Sequence, residues 1–173
     1  MSTNKDIVVK DSCILFDLID LGLLEPFFRL ELVIFTTMHV IEEIEDGSQL
    51  HEVNKYVTNG KLLVDRDGSL ETITKIFQDC PGLSLADSSV LELAGRLGAS
   101  ILTADKTLRN VGTKRTFTVR GVLWIIEELY SKQKITLEEA LLKLELYPKV
   151  NGRAPKIETS ALIEKLSKIN GIK

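Results

Sequence analysis

The chain has 173 residues, 44% of them hydrophobic and 27% charged, which suits a single globular domain that buries its own core. Its two cysteines, Cys13 and Cys80, lie in apolar surroundings without Cys-x-x-Cys or Cys/His spacing. They argue against a disulfide framework or a zinc site and read as buried thiols of a reducing compartment. No apolar run reaches membrane-spanning length, and MSTNKDIVVKDS meets charge before a signal-peptide core can form, so the expected location is cytoplasmic, with no membrane partner. The net charge of −3 hides an asymmetry: residues 1–105 carry 18 acidic and 8 basic side chains, residues 106–173 carry 7 and 14. A fold that sets the acidic part beside the basic one can hold cations next to a phosphate-binding surface.

In chain order, Ile7-Val8-Val9 predicts a first strand, and apolar spacing predicts a helix from Ser12 to Leu24. Leu32–Phe35 reads as a second strand, with Thr36-Thr37 opening a helix to about Asp46. Weak helical pattern follows over 50–58, then a strand at Leu62–Val64 and a helix over 69–79. The clearest helix runs from Ser84 to Arg96, with Ala86, Val90, Leu93, Ala94 and Leu97 on one face and Gly98 closing it. Ile101–Thr103 is a further strand and 116–119 a short one. An amphipathic helix is expected over 121–132, and Thr136-x-x-Glu139 forms a capping box for a helix to about Tyr147. Pro148–Pro155 reads as a linker to an amphipathic tail helix (Leu162, Ile163, Leu166, Ile169). The expected organisation is thus a domain over 1–150 and a tail over 151–173. The fold class is α/β, a mostly parallel sheet with helices on both faces.

In such sheets ligands gather where strands end and helices begin. Asp11 follows the first strand and Asp105 the strand at 101–103. Asp87 lies in the first turn of the Ser84 helix, and Glu43 on the helix of TTMHVIEEIED. Four such carboxylates at one sheet edge suit Mg²⁺ or Mn²⁺. Each also has a structural reading: Asp11 as a helix cap, Asp87 in a Ser84-x-x-Asp87 capping box, Glu43 within a charged helix face. Helical projection places Glu42 nearly opposite the face of Val40, Ile41 and Ile44 and leaves Glu43 and Glu45 flanking it.

The succession of segments resembles the PIN-domain family. It comprises Val8–Leu15 (strand, Asp, Ser, Leu), Val40–Ile44 (V-x-x-E-I), Leu83–Asp87 (L-x-x-A-D) and Leu102–Arg109 (L-T-x-D-K-x-L-R). The resemblance covers about 7–130, and its register selects Glu43. It implies a three-layer fold and cleavage of single-stranded RNA by metal-activated water. Asp11, Asp87 and Asp105 would be the metal ligands and Glu43 a fourth catalytic carboxylate, with the Ser12 and Thr103 hydroxyls as supports. Lys106, Arg109, Lys114 and Arg115 fall in a stretch, 106–120, that holds no acid, and are expected to track RNA phosphates. Many bacterial PIN domains are toxins held by a small antitoxin protein; the neighbouring gene, not this chain, carries that information. The tail helix is suited to closing the core, forming a homodimer or receiving such a partner.

Two other readings stand beside this one. A PIN-like fold can serve as an inactive binding module, since fold does not dictate chemistry. Leu62–Leu70, with Asp65 and Asp67, resembles the DxDG loop of haloacid-dehalogenase-type phosphatases. It falls mid-chain, however, after elements that such a fold lacks upstream, and reads better as a turn away from the metal with Ser69 capping the next helix.

Overall fold

The computed structural model describes residues 6–9 and 11–171; residues 1–5, Lys10 and the last two residues lie outside it. The element order is β1 (Asp6–Val9), α1 (Ser12–Asp20), α2 (Leu24–Phe28), β2 (Val33–Thr37), α3 (Met38–Glu42), α4 (Gly47–Thr58), β3 (Leu62–Asp65), α5 (Leu70–Asp79), α6 (Leu85–Leu97), β4 (Ser100–Leu102), α7 (Lys106–Lys114), β5 (Val119–Arg120), α8 (Val122–Ser131), α9 (Leu137–Val150) and α10 (Lys156–Asn170). All five strands are parallel, in the order β3-β2-β1-β4-β5. The chain winds outward from β1 to β3, then returns to the other side of β1. The reversal lies between β1 and β4.

Two compact units divide the chain. The first comprises Met1–Phe16 and Glu31–Gly121, and carries the sheet. Its core centres on α6, where every residue from Ala86 to Ala94 is buried. The one-sided face expected from the sequence is thus an underestimate: α6 is enclosed all round, as a central helix must be. Its ends follow the expected signals. Ser84 and Asp87 form a reciprocal capping box, and Gly98 closes the helix at φ +62°, a conformation other residues adopt only with strain.

The second unit comprises Asp17–Leu30 and Val122–Lys173. Within it α8 packs on α2 and α9, and α10 on α9. The Phe27 and Phe28 rings meet edge to face, 5.2 Å apart. Buried Asp17 accepts two hydrogen bonds from Asn151 Nδ2, at 2.9 and 3.2 Å, which fastens the stretch after α9.

Several local expectations are corrected. The helix opened by Thr36-Thr37 does not run to Asp46: both threonines end β2, α3 stops at Glu42, and Asp46 caps α4 through the N–H groups of Ser48 and Gln49. The Ser48 hydroxyl and the Gln49 N–H hold the Asp46 carboxyl below its ordinary range. Helix α9 continues through Pro148 to Val150, so the connection to the tail is 151–155. Cys13 is exposed and Cys80 half-buried, rather than both buried. In the tail, Leu166 is buried whereas Ile169 and Ile157 are exposed.

The Thr36 hydroxyl is buried with no hydrogen-bond partner among the described residues. An orphaned buried hydroxyl costs about 1–3 kcal/mol. Thr36→Val should therefore raise the urea unfolding midpoint, by about 1 kcal/mol in stability. A fall in the midpoint would show that the hydroxyl is satisfied.

Candidate active site

The C-terminal ends of β1 and β4 lie side by side, with Val9 in register with Leu102. Asp11 and Asp105, two and three residues further on, leave the same edge on either side of the strand-order reversal. Open parallel sheets form their ligand crevices at such a point. Helix α6 enters this edge because the Ser89 hydroxyl is 2.7 Å from that of Thr37, the last residue of β2. This sets the second turn of α6 beside the end of β2, with Asp87 one half-turn before it. Helix α3 begins directly after β2, and Glu43 is its exposed C-cap.

Each aspartate meets main-chain N–H groups at a helix start. Asp11 Oδ1 accepts from Ile14 N at 3.3 Å, Asp87 Oδ2 from Ser84 N at 2.9 Å, and Asp105 Oδ1 from Leu108 N at 2.8 Å. Helix N-termini favour negative charge, so each of these three helix starts suits a carboxylate. Asp11 and Asp87 are buried and Asp105 is half-buried.

Asp11 differs from every capping residue in backbone. Thr37, Asp46, Ser69, Ser84, Asp105 and Thr136 all cap from the extended region. Asp11 has φ +42°. Capping alone asks for extended backbone. A left-handed aspartate at a strand-to-helix junction is strain of the kind that collects at functional sites.

The supports are specific. Buried Thr103 Oγ1 accepts from Asp105 N at 2.9 Å, so this hydroxyl sets the backbone that carries the carboxylate. Arg109 turns inward, donating from Nη2 to Thr103 O at 2.9 Å and from Nη1 to Val119 O at 3.5 Å. Gly121 makes room for it, since a Cβ there would stand 2.8 Å from Arg109 Nη2. Ser12 opens α1 and is half-buried. Lys106, Lys114 and Arg115 are exposed, and Arg115 Nη2 also reaches Cys80 Sγ at 3.3 Å.

Among the described residues, no three His, Cys, Asp or Glu side chains group closely enough to hold a metal ion. Asp11 and Asp105 thus follow neighbouring strand ends, and no assembled cage with Asp87 and Glu43 is found among the described residues. The donor set is nonetheless of the right kind: carboxylate oxygens at a sheet edge fit a hard divalent ion, with water completing its shell. The phosphatase-like loop is built otherwise. Asp65 is the last residue of β3 and not a turn residue, and it makes an ion pair of 2.7 Å with Arg96.

The sequence reading passed over Glu92. It is buried in α6, accepting from Arg96 Nε at 3.1 Å and from Ser69 N at 3.4 Å. The available signal was a lone acid inside VLELA with an arginine four residues on, a helical pair spacing.

Residues 7–168 match the family described as PIN domain. No curated protein matches the chain.

Proposed function

The chain belongs to the PIN-domain family, and from this premise we propose that it is a Mg²⁺- or Mn²⁺-dependent endoribonuclease of single-stranded RNA. The observation that carries the reading is Asp11: a buried, left-handed aspartate at the strand-order reversal, with Asp105 leaving the adjacent strand. Asp11, Asp87 and Asp105 would hold the ion, with Glu43 at the rim. Bound there, a divalent ion supplies acidified water and offsets charge on the phosphate. The chain's own part is to place the carboxylates: Ser12 opens the helix behind Asp11, the Ser84 box orients Asp87, and Thr103 fixes Asp105. The exposed cations Lys106, Lys114 and Arg115 would meet RNA phosphates, while Arg109 acts mainly by bracing β4.

The test is cleavage of a labelled single-stranded RNA with Mn²⁺ or Mg²⁺, expected to stop in EDTA. Cleavage undiminished in EDTA overturns the mechanism. RNA binding without cleavage under any divalent ion favours the inactive binding module. Were the chain the toxin of a toxin–antitoxin pair, its partner would be a small antitoxin protein. Its mark would be recovery of growth when the neighbouring short reading frame is co-expressed.

The basic stretch gives a second prediction. Each phosphate contact on a single strand contributes a log–log salt slope of about −0.7. Lys114→Ala with Arg115→Ala should flatten the slope of RNA binding by about 1.4 and weaken binding for all sequences alike. An unchanged slope would place these cations away from the RNA.

A further inference from the structure

Beside the carboxylate edge, at the ends of β2 and β3, lies a half-open cleft of about 60 Å³ whose walls include Thr37, Met38, Asp65, Gly68, Ile73 and Glu92. Strands are about 4.8 Å apart, so this cleft stands roughly 10 Å along the same edge from the β1–β4 crevice. From its chemistry we infer that it is a base pocket: it admits the pairing edge of one nucleobase of the RNA strand and selects for amino donors there, guanine above all.

The argument starts from what the walls can accept. Glu92 is buried, and its carboxylate is held on one side by Arg96 Nε and Ser69 N. Oε2 has only a long contact, 3.4 Å, with Arg96 Nη2, and it faces the space over Gly68, 3.4 Å from where a Cβ would stand. A carboxylate oxygen carries more than one acceptor position, so Oε2 keeps capacity for a ligand donor. Asp65, paired to the same guanidinium, adds a second carboxylate to the wall. Hydrogen bonding to Glu92 foremost, and then to Asp65, holds the Arg96 guanidinium more firmly charged than usual. Two carboxylates thus share one cation, which disfavours a bare phosphate and favours neutral donors.

The remaining walls fit the same ligand. Met38 and Ile73 supply apolar surface for a ring, and exposed Arg66 lines the cleft where a sugar-phosphate can emerge. Guanine presents adjacent N1–H and amino donors, which Glu92 Oε2 and Asp65 Oδ2, both facing the space over Gly68, can divide between them. Cytosine and adenine present an amino group beside an acceptor, and uracil sets two carbonyls around its single donor. Splayed single-stranded bases are read in just this way, on the pairing edge and against apolar side chains.

This inference rests on the RNA reading for why a base is presented here, but it is tested without cleavage. Wild-type protein, Glu92→Gln and Gly68→Ala are titrated with GMP, AMP, CMP and UMP in EDTA, reading the ligand-induced change in melting temperature. GMP should bind wild type at least about tenfold more tightly than UMP, the discrimination of one good paired contact. Glu92→Gln should remove that preference. Gly68→Ala, which puts a methyl against Ile73 and Glu92 Oε2, should do so with the network intact, and it decides the matter should the glutamine variant fail to fold. Equal affinity for all four nucleotides, binding of none, or a preference that survives both substitutions overturns the base pocket. GMP preference in a protein that cleaves no RNA would overturn the nuclease and leave the pocket standing. Cleavage without nucleotide preference would do the reverse.

Discussion

Asp11→Asn will cut metal-dependent RNA cleavage by about a thousandfold while making the metal-free protein more, not less, stable. The rate follows from losing one of three charged ligands: metal stabilisation of transition-state charge amounts to several kcal/mol, and about 4 kcal/mol is a thousandfold. The stability follows from charge. Asparagine keeps an acceptor for Ile14 N and tolerates the left-handed backbone, so the substitution keeps the cap while taking one negative charge from an acidic edge. A divalent ion that binds only the folded state adds roughly 2.7 kcal/mol at a hundredfold excess over its dissociation constant. In wild type the melting temperature should therefore rise by about 5–10 °C with Mn²⁺ and far less with Na⁺ at matched ionic strength. In the variant that rise should shrink. Equal Mn²⁺ shifts in the two proteins would remove Asp11 from the site and leave it as a cap.

Gly121→Ala will be among the most damaging single methyl additions to this chain. Its Cβ would stand 2.8 Å from Arg109 Nη2 and 3.4 Å from the Thr103 carbonyl, so the guanidinium must leave the carbonyls of Thr103 and Val119. Hydrogen bonds from a charged donor contribute about 1.5–3 kcal/mol, or roughly 4–10 °C in a protein of this size. Arg109→Ala should cost a similar amount. In that background Gly121→Ala should add less than about 0.5 kcal/mol, because the clash partner is gone. Additive losses in a double-mutant cycle would mean that the glycine is needed for some other reason.

What could be read from sequence divides along a physical line. Caps and glycine stops act within four or five residues, so Ser84–Asp87, Thr136–Glu139 and Gly98 were legible and fall where expected. The strand-end positions of Asp11 and Asp105 were legible because a strand's end is itself a local signal. The split of the helix after β2 was missed although its cause was local: Asp46 is a stronger cap for the following turn than a helix residue in a run of acids. Helix α2, Leu24–Phe28, carries Pro26 and no side-chain cap, and so left no periodic trace. The inward turn of Arg109, the cleft around Glu92 and the exposure of Cys13 depend on packing between distant segments, which no window along the chain contains.

The strand order also governs when the edge can exist during synthesis. β1 emerges first but sits in the middle of the sheet, and its pairing with β4 joins Ile7 to Ser100, 93 positions later. Pairing over such a span is slow to form and must wait for the chain. At ordinary translation rates of about 5–20 residues per second, roughly 5–20 s separate Asp11 from Asp105. A nascent copy still tethered to its own messenger is therefore without the second half of its carboxylate edge for most of its synthesis, and the topology itself delays the moment at which that edge is complete.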